Sequence, residues 1–202
     1  MVGPALTSGR VIDIAVNPTN KDMWYVAAAC GGVWTTNNHG INFSPIFDGY
    51  GSYSIGCVRI APSNPKTIWV GTGENNNQRS ASYGDGVYKS VDGGKTFVNM
   101  GLKQSEHIGT IVIHPKNENI LWVAAYGPLW SSGGERGVYK SVDGGKTWKR
   151  TLFVSENTGI AEVQIDPIHP DILYASAHQR RRHEWTYIGG GPESTVYKRV
   201  DG

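Results

Sequence analysis

Apolar and polar positions alternate over Ile12-Asp13-Ile14-Ala15-Val16, and short apolar runs stand at Ile68-Trp69-Val70 and Ile120-Leu121-Trp122-Val123. Alternation places successive side chains on opposite faces of an extended chain. A short apolar run between Gly, Pro and Asn fits a strand buried on both faces. No stretch reads as a helix. The pattern also repeats: Gly86-Val87-Tyr88-Lys89-Ser90-Val91-Asp92-Gly93-Gly94-Lys95 returns unchanged as Gly137-Val138-Tyr139-Lys140-Ser141-Val142-Asp143-Gly144-Gly145-Lys146, a period of about fifty residues.

Shorter landmarks carry the register through four units. Pro18, Pro62, Pro115 and Pro167 are each followed seven residues on by an aromatic residue, Tyr25, Trp69, Trp122 and Tyr174. A third strand then reads Val33-Trp34-Thr35-Thr36, Val87-Tyr88-Lys89-Ser90, Val138-Tyr139-Lys140-Ser141 and Val196-Tyr197-Lys198-Arg199. Four strands per unit at this period predict an all-β fold, a β-propeller, because each twisted sheet must bury both faces against its neighbours. A β-sandwich is the alternative, and strict recurrence argues against it. The blades are expected at about 9–49, 53–102, 106–155 and 157–202, the last stopping inside its own Asp-Gly turn. The chain is therefore expected to be part of a larger ring, completed by further blades or by another chain.

Composition fits this reading. The 27 Gly and 10 Pro serve turns, and seven Trp with ten Tyr supply large rings that pack between sheets. A net charge of +2 offers no electrostatic footprint for nucleic acid, and no apolar run is long enough to span a bilayer. Met1-Val2-Gly3-Pro4 lacks the charged start and apolar middle of a signal peptide.

The turn after the third strand carries a resemblance. Ser90-x-Asp92-x-Gly94-x-Thr96-Phe97 and Ser141-x-Asp143-x-Gly145-x-Thr147-Trp148 resemble the Asp-box, the BNR repeat of sialidases, xyloglucanases and sortilin-type Vps10 domains. Thr36-x-Asn38-x-Gly40-x-Asn42-Phe43 is an eroded copy. The carboxylate accepts hydrogen bonds from turn amides, Gly permits positive φ, the hydroxyls tie the turn and the ring plugs the blade. The resemblance implies a propeller, an extracellular or periplasmic setting, and Asp-boxes that are structural and lie away from any active site. Gly93-Gly94-Lys95-Thr96 imitates the end of a phosphate-binding loop, but Lys89 stands where that loop needs Gly and a strand follows in place of a helix.

Function is sought where the units differ. Connections between second and third strands gather on one face around the channel mouth. Three are long: 73–85, 126–136, and His178 to Tyr187 running into Gly189-Gly190-Gly191. Glu74, Asn76, Arg79, Tyr83, Tyr126, Trp130, Arg136, Arg181 and Trp185 form the candidate ligand-binding face, suited to a protein, peptide or glycan. Packing of Trp130 and Trp185 over the propeller top is the structural alternative. The triplet Arg180-Arg181-Arg182 reads as solvated or paired with Glu184.

Glycoside hydrolysis needs two carboxylates roughly 5 to 9.5 Å apart. Glu74, Asp85 and Glu184 are the foremost of several acidic candidates, and pairing is not legible because the loops that carry the candidates come from different blades. The resemblance implies a xyloglucanase acid just before a Gly-Gly-aromatic strand, and Ala28-Ala29-Cys30-Gly31-Gly32-Val33-Trp34 has none there. Arg59-Ile60-Ala61-Pro62 only brushes the sialidase signature. The histidines, His107, His114, His178 and His183 among them, lack metal-ligand spacing, and no cofactor motif is present. Cys30 and Cys57 fall near the upper edge of the first two blades, where a bridge is geometrically open but not required. The expected function is a non-catalytic binding propeller, with a glycoside hydrolase whose acids lie partly in other blades, or an architectural subunit, as alternatives.

Overall fold

The computed structural model describes residues 9–200. Met1–Pro4, read above as no signal peptide, and Asp201-Gly202, read as the start of a fourth Asp-box, lie outside the described residues. Four antiparallel sheets follow one another along the chain. Blade 1 holds β1 (Val11–Val16), β2 (Trp24–Ala28), β3 (Gly32–Thr36) and β4 (Ser44–Pro45). Blade 2 holds β5 (Ile55–Ala61), β6 (Asn64–Thr72), β7 (Val87–Ser90) and β8 (Val98–Asn99). Blade 3 holds β9 (Ile108–Ile113), β10 (Leu121–Ala125), β11 (Gly137–Ser141) and β12 (Lys149–Leu152). Blade 4 holds β13 (Thr158–Ile165), β14 (Leu173–Arg182), β15 (Tyr187–Gly189) and β16 (Thr195–Arg199).

In the first three blades the strands pair in chain order, and the innermost strands pack side by side, β1 on β5, β5 on β9 and β9 on β13. This is an arc of a β-propeller. The inner strands approach so closely that a Cβ on Gly56 would overlap the Ile108 carbonyl, and one on Gly109 would overlap that of Ala161. A cavity of about 240 Å³ at the axis is lined by residues of all four, among them Asp13, Cys57, Thr110 and Glu162.

The landmark aromatics explain how blades adhere. Tyr25 belongs to the core shared with blade 2, Trp69 to that shared with blade 3, and Trp122 to that shared with blade 4. Each faces the following blade. Tyr174, the fourth in the column, is 40% exposed.

Two expectations need correction. The stretch from His178 to Tyr187 is no loop: β14 runs on to Arg182 and pairs with β15, while β16 returns to the inner half of β14. The four residues His183–Thr186 between the arms close a hairpin through His183 N–H to the Thr186 carbonyl. Among the described residues there is also a short 3-10 turn, Lys103–Ser105, which the strand pattern concealed. It fits because Leu102 and Glu106 on either side take positive φ and the Ser105 hydroxyl donates to the Leu102 carbonyl at 2.7 Å. Cys30 and Cys57 are both free thiols.

Candidate functional site

The two Asp-box corners sit at the opposite end of the blades from the long connections. Ser90 Oγ accepts from Gly94 N–H at 2.8 Å and donates to Asp92 Oδ1 at 2.7 Å. Asp92 in turn accepts from the N–H of Lys95 and Thr96 and from the Thr96 hydroxyl. Ser141, Asp143, Gly145 and Thr147 repeat the arrangement. The Thr147 hydroxyl and amide, with the Ser141 hydroxyl, hold the Asp143 carboxyl down at about 2. Thr96 and Ser90 push the Asp92 carboxyl lower still. In the eroded copy Asn38 Oδ1 accepts from Thr36 Oγ1 and Asn42 N–H, so an amide retains part of the pattern. Phe97 and Trp148 leave these corners to lodge between blades. Trp148 donates its Nε1–H to the Met100 carbonyl at 2.7 Å.

At the other end, buried polar groups hold the long connections together. Glu74 is buried, and its carboxylate accepts from Asn76 and the Cys30 thiol and pairs with Arg10 at 3.3 Å. Asp85 accepts from the hydroxyls of Tyr88 and Thr72. Arg136 is fully buried, and its guanidinium donates to the carbonyls of Tyr126, Pro128, Ser131 and Gly133. Arg180, also fully buried, donates to Asn76 O, Asn77 Oδ1 and Gly127 O while lying 3.3 Å above the Tyr126 ring centre. One side chain of blade 4 thus fastens connections of blades 2 and 3. Burial, then mutual repulsion, lowers Arg136 to about 10, and burial lowers Arg180 to about 10, so both stay charged at neutral pH. His107 is driven down to about 3, by burial first and Arg180 second. Its Nδ1 carries the proton, because it faces the Glu74 carbonyl. Tyr126 bonds His178 across the same floor.

Above this floor the exposed residues form a rim. Tyr83, Trp130 and Trp185 are 71%, 45% and 87% exposed. Arg79 and Glu184 are exposed with them, Asn76 and Arg181 are half-buried, and Arg181 donates to Asn157 Oδ1 at 2.6 Å. The candidate face therefore divides. Glu74, Tyr126 and Arg136 lie underneath, because unpaired loop carbonyls and a carboxylate had to be satisfied where water is excluded. The arginine triplet is not a solvated run either: Arg180 is interior, and the ion pairs among the described residues, Arg10–Glu74, His39–Asp22 and Arg59–Asp13, do not include Glu184. The acids Glu74, Asp85 and Glu184 belong to separate environments, Glu74 committed to bonds with Asn76 and with Arg10 and Cys30 of blade 1, Asp85 to bonds with Thr72 and Tyr88 of its own blade. Sequence reasoning missed Arg180 as the keystone. The available signal was Tyr187-Ile188-Gly189 standing four residues after the triplet, as the second arm of a hairpin.

The model of the BNR/Asp-box repeat matches residues 139–150, around Asp143. A BNR/Asp-box repeat therefore stands in blade 3 of this propeller arc. Among curated proteins no relative matches it. Solved structures do. The GH74 enzyme of Niastella koreensis is 24% identical with a TM-score of 0.68, covering 94% of this chain and 28% of that one. The GH74 xyloglucanase of Xanthomonas campestris is 17% identical with a TM-score of 0.67, covering 96% of this chain and 29% of that one. YCF48 from Cyanidioschyzon merolae is 16% identical at a TM-score of 0.51, covering 96% and 57%. A YCF48 structure bound to D1 peptide gives 12%, 0.55, 97% and 56%. These likenesses establish the fold. The chain spans under a third of the length of the GH74 enzymes. Among the described residues no helix is long and apolar enough to cross a membrane.

Proposed function

We propose that these blades form a non-catalytic binding surface that presents the rim of Tyr83, Trp130 and Trp185, with Arg79 and Arg181, to an extended peptide of a protein partner outside the cytoplasm. One observation carries this reading. The acids of the 73–85 connection are tied into scaffold bonds, Glu74 to Asn76, Arg10 and Cys30, and Asp85 to Tyr88 and Thr72, while the large rings stay open to solvent. Exposed aromatics beside arginine are the side chains that dominate protein-binding energetics. The arginine-stitched floor adds to this by keeping the rim from paying an ordering cost on binding. The peptide-bound YCF48 propeller supports a peptide as the kind of ligand. The setting outside the cytoplasm follows the resemblance to sialidases and sortilin-type domains.

A second reading, one portion of a GH74-type glycoside hydrolase, draws on the shared fold. The test runs both arms on the purified chain: a displayed peptide library and a glycan array for binding, and xyloglucan and sialoside turnover for catalysis. Saturable peptide binding that Trp130→Ala and Trp185→Ala each weaken by about tenfold or more is expected. Turnover, or glycan binding without peptide binding, overturns the proposal.

A further inference from the structure

Among the described residues four Asp-Gly pairs occur, Asp48-Gly49, Asp85-Gly86, Asp92-Gly93 and Asp143-Gly144. An aspartate before glycine can turn its carboxyl onto the following amide, because glycine has no Cβ to shield that nitrogen. Three of the four are held off this path. Asp92 accepts from the Ser90 hydroxyl, from the N–H of Lys95 and Thr96 and from the Thr96 hydroxyl, and Asp143 is held likewise by Ser141 and Thr147. Asp85 accepts from the hydroxyls of Tyr88 and Thr72. Asp48 is different. It and Gly49 are exposed at the centre of a turn closed by Tyr50 N–H to the Phe47 carbonyl at 3.3 Å, and among the described residues its carboxylate takes no hydrogen bond or ion pair. The turn joins blade 1 to blade 2, and residues of both blades surround it. Phe47 lies in their shared core, the Tyr50 ring stacks on Phe47 at 4.8 Å, the Tyr50 hydroxyl accepts from Phe97 N–H at 2.8 Å, and Gly51 N–H donates to the Tyr88 hydroxyl at 3.3 Å.

We propose that Asp48-Gly49 is a modification site at which the chain converts itself to a β-linked isoaspartyl form, loosening the joint between blades 1 and 2. The Gly49 amide nitrogen attacks the side-chain carboxyl carbon of Asp48 and gives up its proton, the carboxyl oxygen leaves as water, and a five-membered succinimide closes. Water then adds back. Breaking the ring bond from nitrogen to the side-chain carbonyl restores Asp48. Breaking the bond to the main-chain carbonyl leaves Gly49 joined through the side chain, an isomer of unchanged mass with one more carbon in the backbone. The step needs no reactant but water. The reacting form is the uncharged acid, which the Asp143 corner further disfavours by holding its carboxyl down at about 2. At Asp48 the added carbon falls between Phe47 and Tyr50, the two rings whose stacking and hydrogen bond fasten the joint.

The test incubates the whole chain in mildly acidic buffer at physiological temperature, digests it, and reads isoaspartate site by site, by methyl labelling with protein L-isoaspartyl O-methyltransferase and by electron-transfer fragmentation of the peptides. Isoaspartate at Asp48 should accumulate at least about tenfold faster than at Asp85, Asp92 or Asp143. A Cβ on Gly49 meets nothing within 4 Å, and its φ lies outside the left-handed region, so Gly49→Ala keeps the fold. That variant should slow isomerisation at Asp48 by about tenfold or more. The isomerised chain, separated by hydrophobic-interaction chromatography, should melt below the parent. The proposal is overturned if Asp92 or Asp143 isomerises as fast as Asp48, if Gly49→Ala ages like the parent chain, or if the isomerised and parent chains melt together.

Discussion

Trp69 is the residue on which the joint between blades 2 and 3 most depends. It is fully buried, its ring lies against Gly145 of the next blade's Asp-box, and it meets Trp148 edge to face at 6.2 Å and 79°. Lys89 Nζ stands 5.3 Å from the ring centre. Trp69→Ala removes all of this and leaves a cavity, a change that costs about 3–5 kcal/mol, of which the aromatic pair contributes roughly 0.5–1.5. In a chain of this size each kcal/mol lowers the melting temperature by about 2–4 °C, so a fall of roughly 6–20 °C is expected. Trp69→Phe is the sharper probe. The indole Nε1 is buried without a hydrogen-bond partner among the described residues, and phenylalanine deletes that donor while keeping an aromatic edge against Trp148. Relief of about 1–3 kcal/mol offsets most of the lost ring area, leaving a net cost below about 1.5 kcal/mol. Urea unfolding followed by circular dichroism, with calorimetry on the same samples, measures both variants. Equal losses for Phe and Ala would refute the reasoning, since they would mean that the N–H, and not the ring, holds the joint.

Gly145 has φ of +89 and a Cβ there would overlap the Trp69 ring, whereas Gly133 has φ of +76 with nothing within 4 Å. Gly133→Ala should therefore cost only the left-handed penalty of about 1–2 kcal/mol, and Gly145→Ala distinctly more, as compared by thermal unfolding. The Asp143 carboxyl, held at about 2 in the fold, contributes stability that is complete above its unfolded value and is lost as pH falls through the folded one. Urea midpoints of the parent and Asp143→Asn should accordingly differ at pH 5 and converge towards pH 2; a constant gap would show that the carboxylate charge is not what fastens the corner.

The architecture was legible because a propeller writes its packing into the chain at a fixed period. Two of the landmark aromatics face the next blade's Asp-box: Tyr25 donates its hydroxyl to the Gly93 carbonyl, and Trp69 covers Gly145. Recurrence of such a residue at one spacing is direct evidence for recurrence of the contact. The extension of β14 escaped notice because Arg180-Arg181-Arg182 interrupts the apolar alternation that marked the other strands. Charge in a sequence argues for solvent unless something buries it, and here the burying groups are backbone carbonyls, which a sequence does not distinguish from one residue to another.

That same chemistry divides the candidate face into floor and rim. A long connection on a propeller leaves carbonyls facing a space that water enters poorly, and each needs a donor. A guanidinium offers five N–H groups in a fixed fork, so one arginine can settle several carbonyls at once. Arg136 does this within its own connection, and Arg180 does it across Asn76, Asn77 and Gly127, which come from two other blades. The aromatic residues split by the same logic. Tyr126 is drawn under because Arg180 stacks on its face and His178 takes its hydroxyl, whereas Trp130 and Trp185 find no such partners and remain on the surface. The candidate binding residues here are those left over after the loops have satisfied their own backbone, and identifying them requires knowing which connections touch. The long separation in sequence between Asn76 and Arg180 withholds that information, and the curvature of the arc supplies it.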